Sequence, residues 1–175
     1  ASISSDDIFE QMKIDVERLQ RVANRFGQIG SVPELVETDV NLLLEETTEY
    51  FRRRLPFGGS GIKITVIKGD IPRIYMNRGL FTWALENLIK NSLQAVDSQS
   101  GEVRLTTLPS RNPRFIIIEA FDNGRGITAG VARKVFRPGF TTKKRGWGLG
   151  LTLSRRIVED YHRGQIALLR SHPGE

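Results

Sequence analysis

Apolar residues recur every three or four positions over 6–30 (DDIFEQMKIDVERLQRVANRFGQIG), at Ile8, Phe9, Met12, Val16, Leu19, Val22, Ala23, Phe26 and Ile29. That period predicts an amphipathic helix, capped at Ser5 or Asp6 and ended by Gly27 and Gly30. Its narrow stripe suits a partner helix, although a helix lying on its own domain's core would read the same way. SVPELVETD (31–39) follows as a linker, and a second helix is expected over about 39–54, with Arg52, Arg53 and Arg54 at its end, where the helix dipole favours cations. IKITVIKG (62–69) alternates as a strand does. A long helix is predicted over 77–98 from the capping residue Asn77. EVRLTTL (102–108) and RFIIIEAFD (114–122) read as two strands joined by a polar turn, the second apolar throughout and therefore expected to be central. Residues 128–147 are polar around one short helix, and a helix at 148–161 and a strand at 165–170 (QIALLR) complete the chain. Helices and strands alternate too irregularly for a doubly wound parallel sheet, so the fold class expected is α+β.

Composition narrows the function classes. With 175 residues, 39% apolar and 26% charged, the chain can bury a sizeable core. It has no cysteine, which excludes disulfides and thiolate metal sites and is compatible with a reducing cytoplasm. No run of 18 apolar residues occurs, so the piece is expected to be soluble. The net charge of +6 is open to three readings: nucleic acid, a nucleotide, or an acidic protein partner.

Four stretches carry candidate chemistry. On the helix from Asn77, Phe81, Ala84, Leu85, Leu88, Ser92, Ala95 and Val96 fall on one side, and Asn87, Asn91 and Gln94 on a neighbouring stripe. An amide oxygen is a hard neutral ligand suited to Mg²⁺, though a solvated helix face has the same pattern. DNGRGI (122–127) leaves a strand end, where an ionised Asp122 can accept the exocyclic amine of adenine, with Gly124 and Gly126 keeping backbone clear of the ring. An Asp-Asn-Gly turn explains the same residues without a ligand. VFRPGFTTKK (135–144) sets Phe136 and Phe140 around a Pro-Gly turn ahead of two threonines and two lysines. TTKKRGWGLGL (141–151) runs from Lys143, Lys144 and Arg145 into a glycine-alternating turn whose backbone N–H groups can cradle an anion.

In this order and spacing the four stretches resemble the boxes of the GHKL (Bergerat-fold) ATPases, and within them the catalytic domain of bacterial sensor histidine kinases. ENLIKNSLQA is similar to their asparagine box, DNGRGI to the first glycine box, VFRPGFTTK to the phenylalanine box and GWGLGL to the second glycine box. The resemblance covers about 40–170, and residues 6–30 are similar to the second helix of the family's dimerisation and phosphotransfer hairpin. It implies a two-layer α/β sandwich, a mixed and mostly antiparallel sheet with helices on one face. The domains expected are 1–32, part of the hairpin plus linker, and 33–175, the ATP-binding domain without its final strand. It further implies ATP and Mg²⁺ as cofactors, with Asn91 holding the metal and Asn87, Asn91 and Lys143 serving catalysis. The nucleotide-binding set implied is Asn91, Asp122, Gly124, Gly126, Ile127, Phe136, Thr141, Thr142, Lys143, Gly146, Gly148, Leu149, Gly150 and Leu151. Residues 128–147 would form a lid over the nucleotide.

The partners implied are a response-regulator receiver domain and a second copy through the hairpin, with no nucleic acid and a membrane only through segments outside this chain; the location expected is cytoplasmic. Neither His162 nor His172 has the context of the family's acceptor histidine, which is expected upstream. Gln94 stands where many relatives carry a basic or aromatic residue, and Glu86 is one residue off the position of the water-activating glutamate of gyrase-like relatives, where Asn87 is found. An ATP-driven clamp of the gyrase or mismatch-repair type is the alternative.

Overall fold

The structure is a computed structural model that describes residues 33–55, 61–143 and 148–171. The helix expected over 6–30, Gly146 and His172 lie outside the described residues. The chain divides into two compact units, Ala1–Glu34 and Leu35–Glu175.

The elements of the second unit are β1 (Val36–Thr38), α1 (Val40–Arg52), β2 (Lys63–Ile67), β3 (Ile74–Met76), α2 (Arg78–Ala95), β4 (Glu102–Pro109), β5 (Ile116–Asp122), α3 (Ala129–Ala132) and α4 (Gly150–Arg156), which runs on as a π-helical turn, Ile157–Tyr161. Both long helices start where a side chain supplies the missing acceptor. Asp39 Oδ1 accepts the N–H of Leu42 at 3.0 Å, and Asn77 Oδ1 that of Leu80 at 2.9 Å. β1 pairs antiparallel with β3, and a separate three-stranded sheet has the order β2-β4-β5, with β2/β4 parallel and β4/β5 antiparallel. The expected mixed sheet is thus present as two pieces, with two of its three ladders antiparallel.

The core lies between α1, α2 and one face of the larger sheet. Val40, Leu43, Leu44 and Phe51 of α1 and Leu85 and Ile89 of α2 close over Ile64, Val103 and Leu105, with Met76 at the margin. Each such side chain contributes on the order of 1.5–3 kcal/mol by leaving water. One polar group in this layer, Thr107, is fully buried but satisfied: its hydroxyl accepts from the Gly69 N–H (2.8 Å) and donates to Asn41 Oδ1 (2.6 Å).

Four expectations need correction. Residues 31–39 are not all linker, because Val36–Thr38 form β1; its three-residue pairing with β3 is too short to leave a periodic signal. The central strand is β4, whose Val103, Leu105 and Thr107 alternate inward, and β5 is at the sheet edge with Ile117 and Phe121 over 40% exposed. An apolar run measures β propensity rather than position in a sheet, and here Arg104 stacks over the Phe121 ring at 4.6 Å. QIALLR forms no strand: among the described residues it has no ladder partner, and Leu169 is 74% exposed. On α2 the buried set also includes Leu80 and Ile89, while Leu88 is only half-buried. Three layers meet this helix (α1, the sheet and α4), so more than one face is covered.

Candidate functional site

Asp122 is the last residue of β5 and pairs with Val103 of β4. Directly opposed residues of an antiparallel ladder share a face, so the register turns the carboxylate toward the helix layer and not to open solvent. There the buried Ser92 of α2 donates its hydroxyl to Asp122 Oδ2 at 2.9 Å, and the Gly124 N–H donates to Oδ1 at 3.1 Å. Each oxygen keeps a free lone pair, and the plane of the carboxylate is fixed.

The turn after β5 is clamped against the end of α2. Arg125 N–H donates to Ala95 O at 3.1 Å, and a Cβ on Gly124 would sit 2.7 Å from the Ala95 carbonyl carbon. Gly124 is therefore required by the helix behind it, where the sequence suggests a role in clearing the ligand ring. Asn123, to which the sequence assigns no role, pins the start of β4: its Oδ1 accepts from Glu102 N–H (2.7 Å) and its Nδ2 donates to Ser100 O (3.0 Å). Its signal, an Asn inside a turn, is indistinguishable by sequence from ordinary turn chemistry.

These groups line a cleft of about 960 Å³, within the range of small-molecule sites. Of the expected residues, Asn91, Asp122, Gly124, Gly126, Ile127, Thr141, Thr142, Lys143, Gly148, Leu149, Gly150 and Leu151 all line it. Two do not. Phe136 lies outside the wall, its carbonyl accepting from Thr152 Oγ1 at 3.3 Å, while Val135 and Phe140 face the cleft instead. The Pro-Gly turn sets which aromatic faces inward, and the sequence alone does not distinguish the two. Asn87 also lies behind the wall, with its Oδ1 3.6 Å from the Cβ position of Gly150. Its Nδ2 is buried without a hydrogen-bond partner among the described residues, behind the α4 end of the cleft.

Gly148 holds that end in place. At φ +65° it is in the left-handed region, and a Cβ there would meet the Gly139 carbonyl carbon at 2.5 Å, so only glycine lets the two loop segments cross. From the loop, Lys143 reaches α2: Nζ donates to Asn91 Oδ1 at 2.7 Å and also to Gln94 Oε1. Burial, and then the charge of Arg125, hold the Lys143 ammonium below its usual range. Sequence reading missed Arg104, Arg125 and Arg170, which join Lys143 in the wall against the two carboxylates Glu119 and Asp122. Among the described residues the cleft thus carries two net positive charges, four cations less two anions, and favours an anionic guest.

The donor set fits a magnesium ion in one respect: Asn91 Oδ1 already accepts a cation, the Lys143 ammonium, and is a neutral oxygen of the type Mg²⁺ accepts beside phosphates and water. Among the described residues no group of three His, Cys, Asp or Glu side chains could hold a metal by itself. His162 is accounted for structurally. Its Nε2 accepts the Asn77 backbone N–H at 3.0 Å, which requires the proton on Nδ1, donated to Ile157 O at 2.7 Å.

Comparison with known proteins agrees with this geometry. The profile described as "Histidine kinase-, DNA gyrase B-, and HSP90-like ATPase" matches residues 77–175. The signal transduction histidine-protein kinase AtoS of Escherichia coli (strain K12) is 35% identical over 144 residues, 79% of this chain and 22% of AtoS. The C4-dicarboxylate transport sensor protein DctB of Rhizobium meliloti (strain 1021) is 38% identical over 160 residues, 89% of this chain and 24% of DctB. The chain therefore spans less than a quarter of the length of either relative. The solved catalytic domain of histidine kinase ThkA superposes with a TM-score of 0.60 at 27% identity, covering 73% of this chain and 82% of that domain. Four ordered motifs, the cleft they line and the profile covering residues 77–175 agree: the chain belongs to the histidine kinase-, DNA gyrase B- and HSP90-like ATPase family.

Proposed function

We propose that this chain is the ATP-binding domain of a two-component sensor histidine kinase, donating the γ-phosphate of ATP to a histidine outside residues 1–175 for relay to a response-regulator aspartate. The observation that carries the reading is the Asp122 carboxylate, oriented by Ser92 and Gly124 in the wall of a cationic cleft.

In this reading Asp122 accepts the exocyclic amine of adenine, and guanine, with a carbonyl at that edge, is repelled. Asn91 holds Mg²⁺, which when bound neutralises phosphate charge, with Asn87, one turn earlier on the same helix, beside it. Lys143, Arg125, Thr141 and Thr142 are the side chains available to the phosphates, with the backbone of 148–150 beside them. Phosphoryl transfer needs little from the protein except position and charge, which suits a wall of amides, hydroxyls and cations. Among the described residues the only cleft-lining carboxylates, Asp122 and Glu119, are on β5. Glu86 lies in a separate groove with Tyr50 and Arg78 and pairs with Lys90 at 3.3 Å. That placement favours donation to another nucleophile over activation of water, and so the kinase over the clamp.

AtoS is named a signal transduction histidine-protein kinase and DctB a sensor protein, and ThkA has been solved with the response regulator protein TrrA, which supports a receiver domain as the next acceptor here. Dimerisation through 6–30 and a cytoplasmic location belong to the same proposal; no helix among the described residues is long and apolar enough to cross a membrane.

The test is transfer in trans. The chain is mixed with a hairpin polypeptide carrying an acceptor histidine and with Mg-ATP radiolabelled in the γ-phosphate. Acid-labile label on the hairpin is expected. Label on His162 of this chain would overturn the placing of the acceptor outside residues 1–175, and binding of ATP without transfer to any hairpin offered would overturn the kinase reading.

A further inference from the structure

Asn91 and Gln94 are three residues apart on α2, so their side chains share a face. Both offer their oxygen to one cation that arrives from far away in sequence, the Lys143 ammonium, 52 and 49 residues on. We propose that Asn91 and Gln94 together form a cation seat that Lys143 fills while nucleotide is absent, latching its loop to α2, and that the lysine leaves the seat for phosphate when Mg-nucleotide enters. The proposal rests on the reading of the cleft as a Mg-nucleotide site.

Three features make the contact a latch and not a permanent tie. First, Lys143 forms no salt bridge among the described residues. Its charge meets only amide dipoles, which compensate less well for lost hydration than a carboxylate would. Second, it is partly desolvated beside the like charge of Arg125, so an anion entering the cleft offers it a better partner than either amide. Third, Asn91 Oδ1 lies 2.7 Å from the ammonium, so a divalent cation on the same oxygen would be brought within a few ångströms of a like charge that repels it. Departure of the lysine toward phosphate and release of Asn91 for the metal are then a single event. A ligand without phosphates would leave the latch in place. Gln94, exposed and distant in sequence from the glycine-rich stretches, is on this account the residue that sets how tightly the loop is held in the empty state.

The test uses the 175-residue chain and hydrogen–deuterium exchange of peptides spanning 136–143, with and without a non-hydrolysable Mg-ATP analogue. Without nucleotide, Gln94→Leu removes one of two acceptors, and exchange there is expected to rise about tenfold. Gln94→Glu, which gives the ammonium an ionic partner, is expected to slow exchange. With the analogue bound, Gln94→Leu and the parent chain should exchange alike. The Gln94 side-chain amide resonances should also move on adding the analogue to the position they take in nucleotide-free Lys143→Met. Gln94→Leu exchanging like the parent without nucleotide would overturn the latch, as would an equal difference in both states. If the analogue binds and the Gln94 variants are silent, the latch alone falls. If the analogue does not bind, the handover falls together with the nucleotide reading.

Discussion

Asp122→Asn isolates the adenine contact because the fold can absorb it. Gly124 N–H needs an oxygen acceptor at the Oδ1 position, 3.1 Å away, so the new amide must keep its oxygen there and turn its NH₂ toward Ser92. Ser92, now donating to Oδ2 at 2.9 Å, can rotate its hydroxyl and accept instead. Both protein contacts survive in neutral form, and the loss of stability is limited to about 1 kcal/mol. For the ligand the change is severe. The adenine amine loses a hydrogen bond to a charged acceptor, worth about 1.5–3 kcal/mol, and a donor faces a donor in a buried position at a further cost of about 1–3 kcal/mol. The sum, about 2.5–6 kcal/mol, weakens affinity by about two to four orders of magnitude. Calorimetric titration with a non-hydrolysable Mg-ATP analogue measures this directly, with circular dichroism and Tm establishing that the variant is folded. A folded variant that binds within about threefold of the parent chain would refute carboxylate recognition of the purine.

The remaining predictions concern the scaffold. Gly124→Ala and Gly148→Ala should each lower stability by about 1–3 kcal/mol, because their Cβ atoms would lie 2.7 and 2.5 Å from backbone carbons. Gly130→Ala, in α3 with nothing within 4 Å, should be neutral or stabilising by up to about 1 kcal/mol; chemical denaturation of all three compares them. Glu45 is held below its ordinary value of 4.5, first by the hydrogen bond from Arg52 and then by Lys68, with burial opposing. A carboxyl with a depressed folded pKa stabilises above its unfolded pKa, and that contribution is lost as pH falls through the folded value. The Tm difference between the parent chain and Glu45→Gln should therefore be constant at neutral pH and close below about pH 4.5; a difference that persists in acid would remove Arg52 and Lys68 as the cause.

What the sequence disclosed and what it withheld divide along a physical line. The Asn77 cap and the α2 periodicity are local signals, and the helix they predict is found within a few residues. Asp122 was legible because a strand end followed by Asp-Asn-Gly has few conformations open to it. The order of the four motifs identified the cleft, and most of the expected residues line it. The misses depend on partners distant in sequence. β1 exists only because residues 74–76 pair with it, β5 is an edge because nothing among the described residues pairs beyond it, and Phe136 turns away where Phe140 faces in. Helical periodicity places Ser92 on the same side as Ala84, Leu85 and Leu88 and gives it no partner. Its hydroxyl reaches Asp122 only because the β4/β5 register puts that residue opposite Val103, a relation no local pattern encodes.

The two halves of the cleft therefore differ in stiffness, and the difference has a functional consequence. Asp122 is fixed by a strand register, a buried hydroxyl and the turn clamped on Ala95, so the wall that the proposed function assigns to the purine is held by the protein's own contacts. His162 adds to this by accepting the Asn77 N–H at the start of α2, joining the π-helical turn to the helix that carries Ser92 and Asn91. The loop segment Thr141–Lys143 has no such frame among the described residues. Thr141, Thr142 and Lys143 are exposed loop residues tied down by the Lys143 contacts to two amides and by the Lys143 N–H to Thr141 Oγ1 at 3.1 Å. A preformed purine wall lets base recognition proceed without reorganising the core, and leaves the cost of ordering to the segment that meets the phosphates. On the proposed reading, discrimination between ATP and ADP would come from how much of that ordering the terminal phosphate repays, and discrimination between adenine and guanine from Asp122 at the end of the sheet strand. Substitutions at Thr141, Thr142 or Lys143 should alter the ATP-to-ADP affinity ratio while leaving adenosine binding unchanged. Substitutions at Ser92 should weaken ATP, ADP and adenosine by the same factor.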